Sequence, residues 1–227
     1  MPNYKPDTGH SIHIPTGDAE LAGSLYIPKE AKGMVLFVHG SGSSRLSKRN
    51  QHVAKVLNEG NLATLLFDLL TPQEEDIDIY TREFRFDIPF LASRLVDTTQ
   101  WCLKEFSQQP LSIGYFGSST GGGAALVAAA KETDTIKAVV SRGGRPDLAG
   151  ESLPKVKAPT LLIVGGQDET VIEMNKAAKS EMTCPVSLEI VPGATHLFEE
   201  PGTLDEVARL AREWFLKHLS TDKFTHE

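Results

Sequence analysis

Residues 111–130 read LSIGYFGSSTGGGAALVAAA, and three local preferences meet in them. Residues 111–116 are a short apolar run with Ile113, Tyr115 and Phe116, the pattern of a buried strand. Residues 117–121, Gly-Ser-Ser-Thr-Gly, match G-x-S-x-G. Residues 124–130 are rich in alanine, which favours helix. A serine on a sharp strand-to-helix turn needs small neighbours two residues to either side, because the backbone is strained and bulk at Gly117 or Gly121 would clash. One frame fits. Ser118 has Phe116 two residues before it, so Ser119 is the candidate nucleophile and Ser118 a small elbow residue. The amides opening the next helix would point at whatever Ser119 attacks. The motif alone arises by chance in roughly one chain in ten of this length. A plain Gly/Ser turn is therefore the competing reading, and the rest of the chain has to decide.

A chain of 227 residues, 40% hydrophobic and 23% charged, is expected to form one α/β domain over residues 1–227 with a substantial core. Its net charge of −7 argues against non-specific binding to nucleic acid or to acidic membranes. Its two cysteines, Cys102 and Cys184, lack a Cys-x-x-Cys partner and read as reduced, buried thiols of a cytoplasmic protein. The N-terminus MPNYKPDTGHSIHI has no apolar core and does not read as a secretory signal. Runs such as MVLFV and TLLIV are too short to span a bilayer.

Outward from the elbow, residues 11–14 and 21–28 alternate about Thr-Gly-Asp-Ala, as an antiparallel hairpin does. Residues 34–39 (MVLFVH), 62–67 (LATLLF), 136–140 (IKAVV), 160–164 (TLLIV) and 186–191 read as further strands. Helices are expected over 46–58, 84–106, 171–179 and from a Thr203-x-x-Glu206 capping box to about 219. In the last, Leu204, Val207, Ala211, Trp214 and His218 or Leu219 would share a face. Pro89 would fall in a first turn or kink its helix. Residues 71–82, with Glu74, Glu75, Asp76 and Asp78, read as a solvated loop, and 146–157 as a short excursion with little helix. Strands alternating with helices from residue 34 onward imply about 7–8 strands in a mostly parallel sheet with helices on both faces. Catalytic groups of such folds sit at the carboxyl ends of strands. The unusual loops lie there, after residues 39, 116, 164 and 191.

A serine hydroxyl needs a base to take its proton and an acid to orient that base. The later strand ends supply Asp168 and His196, in the order Ser119, Asp168, His196. With His39-Gly40 after the first long strand, Gly-Gly-Gln-Asp168 and Pro-Gly-Ala-Thr-His196, the chain resembles the dienelactone-hydrolase-like branch of the α/β-hydrolases over nearly its whole length. Dienelactone hydrolases proper carry cysteine at the elbow, whereas this chain carries Ser119, a departure that favours ordinary ester chemistry over a dienelactone substrate. The resemblance implies Ser119 as nucleophile, His196 as base and then acid, Asp168 as its partner, and an oxyanion hole from the backbone N–H groups of Thr120 and Ser41.

Competing readings stay open. Asp168 could be an ordinary helix N-cap, with Glu169 as backup acid. His39 is expected to pack beneath the oxyanion loop, and His10, His13, His52, His218 and His226 read as structural or exposed. Arg142 and Arg145 could hold a substrate carboxylate, or be salt-bridged or exposed. No metal spacing, P-loop or dinucleotide fingerprint is found, so no cofactor and no metal are expected. The only room for a lid is in residues 69–83 and 143–157, which implies a minimal cap. The expected activity is cleavage of small esters through an acyl-enzyme. Thioesterase, acyltransferase, peptidase or perhydrolase use of the same residues, and a low-turnover ligand sensor, are the alternatives. The expected partner is a small acyl substrate; oligomeric state and natural substrate are not readable.

Overall fold

The computed structural model describes residues 4–17 and 19–220; His226 of the sequence reading lies outside them. Strands β1 (Gly9–Thr16) and β2 (Ala19–Tyr26) form the expected hairpin, with Gly9 opposite Tyr26 and Thr16 opposite Ala19. β1 buries alternate residues, the pattern of an edge strand with one wet face. β3 (Met34–Val38), β4 (Ala63–Phe67), β5 (Ile113–Ser118) and β7 (Thr160–Gly165) are buried at every residue, which is why they read as unbroken apolar runs. With β6 (Ile136–Arg142) and β8 (Val186–Val191), the order across one eight-stranded sheet is β1-β2-β4-β3-β5-β6-β7-β8, antiparallel only at β1·β2 and β2·β4.

Helices α1 (Lys48–Glu59) and α6 (Thr203–Leu219) cover one face, where Val53, Leu57, Val207 and Phe215 pack on Val35, Phe37 and Phe116. α3 (Ile88–Glu105) and α4 (Thr120–Lys131) cover the other, where Leu91, Leu95, Ala124 and Ala128 pack on Leu36 and Tyr115. Pro89 falls in the first turn of α3, where its missing N–H costs nothing, and Asp87 caps that helix by accepting from the Phe90 amide at 3.0 Å. α5 (Glu169–Glu181) follows β7.

Three expectations need correction. Residues 71–82 are not a loop: α2 (Pro72–Thr81) forms there, opened by a reciprocal capping box between Thr71 and Glu74. It also packs in. Asp78 is 1% exposed and accepts from the amides of Phe84 and Arg85 and from Arg85 Nε at 2.6 Å, while Glu74 accepts from Arg94. The acidic run that suggested a solvated loop serves the helix N-terminus and these buried pairs. At α6 the expected capping box does not form. Gly202 occupies the cap position at φ 80, and the Thr203 hydroxyl donates to the Glu200 carbonyl instead. Phe215, with Val207, Ala208 and Ala211, forms the buried stripe of α6, and Trp214 lies at its margin. Residues 146–155 carry more turn than expected, as a 3-10 segment (Pro146–Lys155) broken at Gly150. Among the described residues, no helix is long and apolar enough to cross a membrane.

Candidate active site

β3 and β5 are neighbours, yet the chain leaves β3 toward β4 on one side and reaches β5 on the other. Their carboxyl ends therefore flank a switch point, where open α/β sheets leave a crevice. The loop after β3 and the turn after β5 meet there. Ser119 is held at φ 50, ψ −122, outside the comfortable range of an L-residue. The glycines of the motif permit this. A Cβ on Gly117 would lie 2.6 Å from the Gly121 carbonyl oxygen, and one on Gly121 would lie 2.2 Å from that of Val38. α4 starts at once, at Thr120.

The loops after β7 and β8 are stitched together by backbone bonds from Gly166 to Val191 (2.8 Å) and from Gln167 to Ala194 (3.0 Å). The stitching brings Asp168 to His196: Nδ1 of the imidazole lies 2.6 Å from Asp168 Oδ2. Asp168 does occupy the cap position of α5, but its side chain caps nothing, being turned to His196. Glu169 is exposed on the first turn of α5. The imidazole is 39% exposed and lies over Gly143, where a Cβ would be 3.5 Å from its Cε1. Gly143 follows Arg142, whose carbonyl accepts from the Ser119 amide at 3.2 Å. Successive residues at the end of β6 thus support the serine and the histidine.

His39 is buried. Its Nε2 accepts from the Leu69 amide at 3.0 Å, so the ring proton is on Nδ1 and is donated to the Gly40 carbonyl at 2.8 Å. Burial lowers its pKa, and the neutral tautomer clamps the loop after β3 as expected. The Ser41 amide donates to the Thr120 hydroxyl at 2.9 Å, a contact between residues 79 apart that no local pattern announces.

The two arginines differ. Arg145 is paired with Asp147 through two hydrogen bonds, 2.9 and 2.7 Å. Arg142 is neither exposed nor salt-bridged. It is 6% exposed, reaches Asn50 Oδ1 at 3.4 Å, lies 5.8 Å from the centre of the Phe198 ring, and has no carboxylate partner among the described residues. Burial, then the nearby Arg49, pulls its pKa down to about 10. Asn50 also accepts from Ser118 at 3.0 Å, so the elbow, α1 and the arginine form one buried polar knot. Asn50 and Phe198 were not singled out in the sequence. Phe198, buried at φ 55 two residues past His196, carries its constraint in the backbone, where residue type gives no signal. No group of three or more His, Cys, Asp or Glu side chains among the described residues is placed to hold a metal ion.

An eight-stranded sheet of this order, with a strained serine elbow after β5 and an Asp–His pair after β7 and β8, defines an α/β-hydrolase. The sequence pattern of the dienelactone hydrolase family matches residues 21–221, and the chain belongs to that family. It is 57% identical to a dienelactone hydrolase from Anabaena variabilis, whose crystal structure matches with a TM-score of 0.92 over 93% of this chain and 98% of that one. Est1E from Butyrivibrio proteoclasticus, 21% identical, shares the fold at a TM-score of 0.73 over 92% and 98% of the two chains. A putative phosphoribosyl transferase of Mycobacterium tuberculosis is 54% identical over 214 residues, 94% of this chain and 47% of that protein. The chain thus spans about half the length of the curated relatives it matches.

Proposed function

We propose that this family member is a serine hydrolase that cleaves small carboxylic esters through an acyl-enzyme. The observation that carries the reading is the 2.6 Å bond from His196 to Asp168 on the strand ends beside the Ser119 elbow. In this reading Ser119 Oγ bonds to the acyl carbon while His196 Nε2 takes its proton, and the carbonyl π pair moves onto oxygen. As the tetrahedral species collapses, His196 returns the proton to the departing alkoxide. Water then repeats the sequence on the acyl-enzyme. Asp168 keeps the imidazole proton on Nδ1 and stabilises the imidazolium. The Thr120 amide at the start of α4 is aimed at the developing oxyanion. Residues 69–83 and 143–157 carry only a ten-residue helix and a ten-residue 3-10 segment, which favours small substrates at an open site.

The transferase name of the Mycobacterium relatives belongs to proteins of which this chain matches 47%, and the residues of the site described above point to ester chemistry instead. A fluorophosphonate is expected to label the wild type at Ser119 and to leave Ser119→Ala unlabelled. Folded wild type that resists labelling would remove the hydrolase reading and favour a sensor. A panel of p-nitrophenyl esters, thioesters and aminoacyl amides then ranks the acyl chemistries, with the esters expected fastest.

A further inference from the structure

The serine-hydrolase reading places two backbone amides, of Thr120 and Ser41, around the oxyanion. The Ser41 amide is already engaged, donating to Thr120 Oγ1 at 2.9 Å. An N–H donates well along one direction only, so a proton held there is not aimed elsewhere. The peptide unit that carries it is pinned at its other end too. The Gly40 carbonyl oxygen, in the same plane, accepts from His39 Nδ1 at 2.8 Å and from the Ser43 amide at 3.2 Å. Turning the Ser41 N–H toward a substrate oxygen would rotate that plane and break both bonds, one of them to a buried imidazole whose other nitrogen is held by Leu69. Gly40 also sits close against the elbow, where an added Cβ would lie 3.2 Å from Ser119 Cβ and from the Ser118 carbonyl oxygen.

The Thr120 hydroxyl, by contrast, has a proton to give. A hydroxyl has one donor and two acceptor positions. Thr120 Oγ1 uses one acceptor position on Ser41, and no acceptor for its own proton is found among the described residues. Thr120 is 5% exposed, follows the nucleophile and lies between the elbow and the pinned loop. A hydroxyl that accepts a hydrogen bond is polarised into a stronger donor.

Resting on that same hydrolase reading, we propose that the Thr120 side chain is a catalytic residue: its hydroxyl donates directly to the oxyanion, next to the Thr120 amide, and the Ser41 amide acts at one remove by holding and polarising it. One residue then supplies two donors, and the loop after β3 serves as their fixed support.

Thr120→Val keeps the shape and removes the hydroxyl, and Thr120→Ser keeps the hydroxyl. With a p-nitrophenyl ester, Thr120→Val is expected to lose about 10²–10³-fold in kcat, the scale of losing one oxyanion donor, with KM little changed. A trifluoromethyl ketone, whose hemiketal oxyanion occupies the same place, should lose affinity in parallel. Thr120→Ser should recover most of both. Melting curves check folding, and Thr120→Ala replaces the valine variant if that one does not fold. Wild-type or faster turnover in a folded variant without the hydroxyl would overturn the proposal, since the freed Ser41 amide would then be the direct donor. Fluorophosphonate labelling separates the two failures. Wild type that is not labelled refutes the hydrolase reading itself, whereas labelled wild type with an undiminished Thr120→Val refutes only the role of the hydroxyl.

Discussion

At Ser119 the chain accepts a backbone conformation, φ 50, that costs an L-residue on the order of 1–3 kcal/mol. The motif is legible in sequence because its glycines are required by contacts that a Cβ would break. Gly121→Ala would force an atom to 2.2 Å from the Val38 oxygen, and its expected outcome is loss of soluble, folded protein, read by circular dichroism. Chemistry is read differently. Ser119→Ala and His196→Ala should fold with wild-type melting temperatures and lose several orders of magnitude in ester turnover. Near-normal hydrolysis in either would mean these residues are misassigned. Asp168→Asn should lose about 10⁴-fold, the scale seen when the orienting carboxylate of such a site becomes an amide. The neighbouring Glu169 is exposed and does not meet the imidazole, so it offers no rescue. Glu169→Gln is expected to stay within two-fold of wild type, and a large loss there would move the acid from Asp168 to Glu169.

At the scale of elements, legibility followed burial. β3, β4, β5 and β7 are covered on both faces, so their composition alone announces them. The ends of helices are set by single hydrogen bonds, and there the sequence misled in both directions. Thr71 and Glu74 form a capping box hidden in an acidic run, while Thr203 and Glu206 have the spacing of one and do not form it. The site divides the same way. Ser119, Asp168 and His196 announce themselves by order and flanking glycines, but the Ser41–Thr120 and Arg142–Asn50 contacts join residues 79 and 92 apart and have no local pattern. α2 is the element whose anchoring is most testable. Thr71→Ala removes one side of its capping box and should cost about 1 kcal/mol. Asp78→Ala strands Arg85 and two amides in a buried place, and should cost about 3 kcal/mol. Urea unfolding checks the order; equal small losses would mean that α2 is only loosely attached.

At the scale of the whole molecule, the groups that clamp the loops also make folding depend on pH, and the two signs can be worked through. Burial lowers the pKa of His39 in the fold, so below about pH 6.5 the unfolded chain binds a proton that the folded chain refuses. Stability therefore falls as pH drops through that point, with a slope approaching 1.4 kcal/mol per pH unit for one proton. His218, beside Trp214, is lowered by burial and then by Lys217, and adds an effect of the same sign. Asp78 acts later. Burial alone would raise its carboxyl, but Arg85 and two amides outweigh that and hold it below the usual range. Its contribution is therefore complete above the unfolded value near pH 4 and is lost as pH falls through the lower folded value. Chemical unfolding measured at intervals from pH 8 to pH 3 should show two successive losses, the first beginning near 6.5 and the second below about 4. His39→Gln keeps one donor and one acceptor for Gly40 and Leu69 but cannot titrate, so it should shrink the first loss to what His218 leaves. A first loss of undiminished size in that variant would mean that the proton is taken up somewhere other than the clamp on the loop after β3.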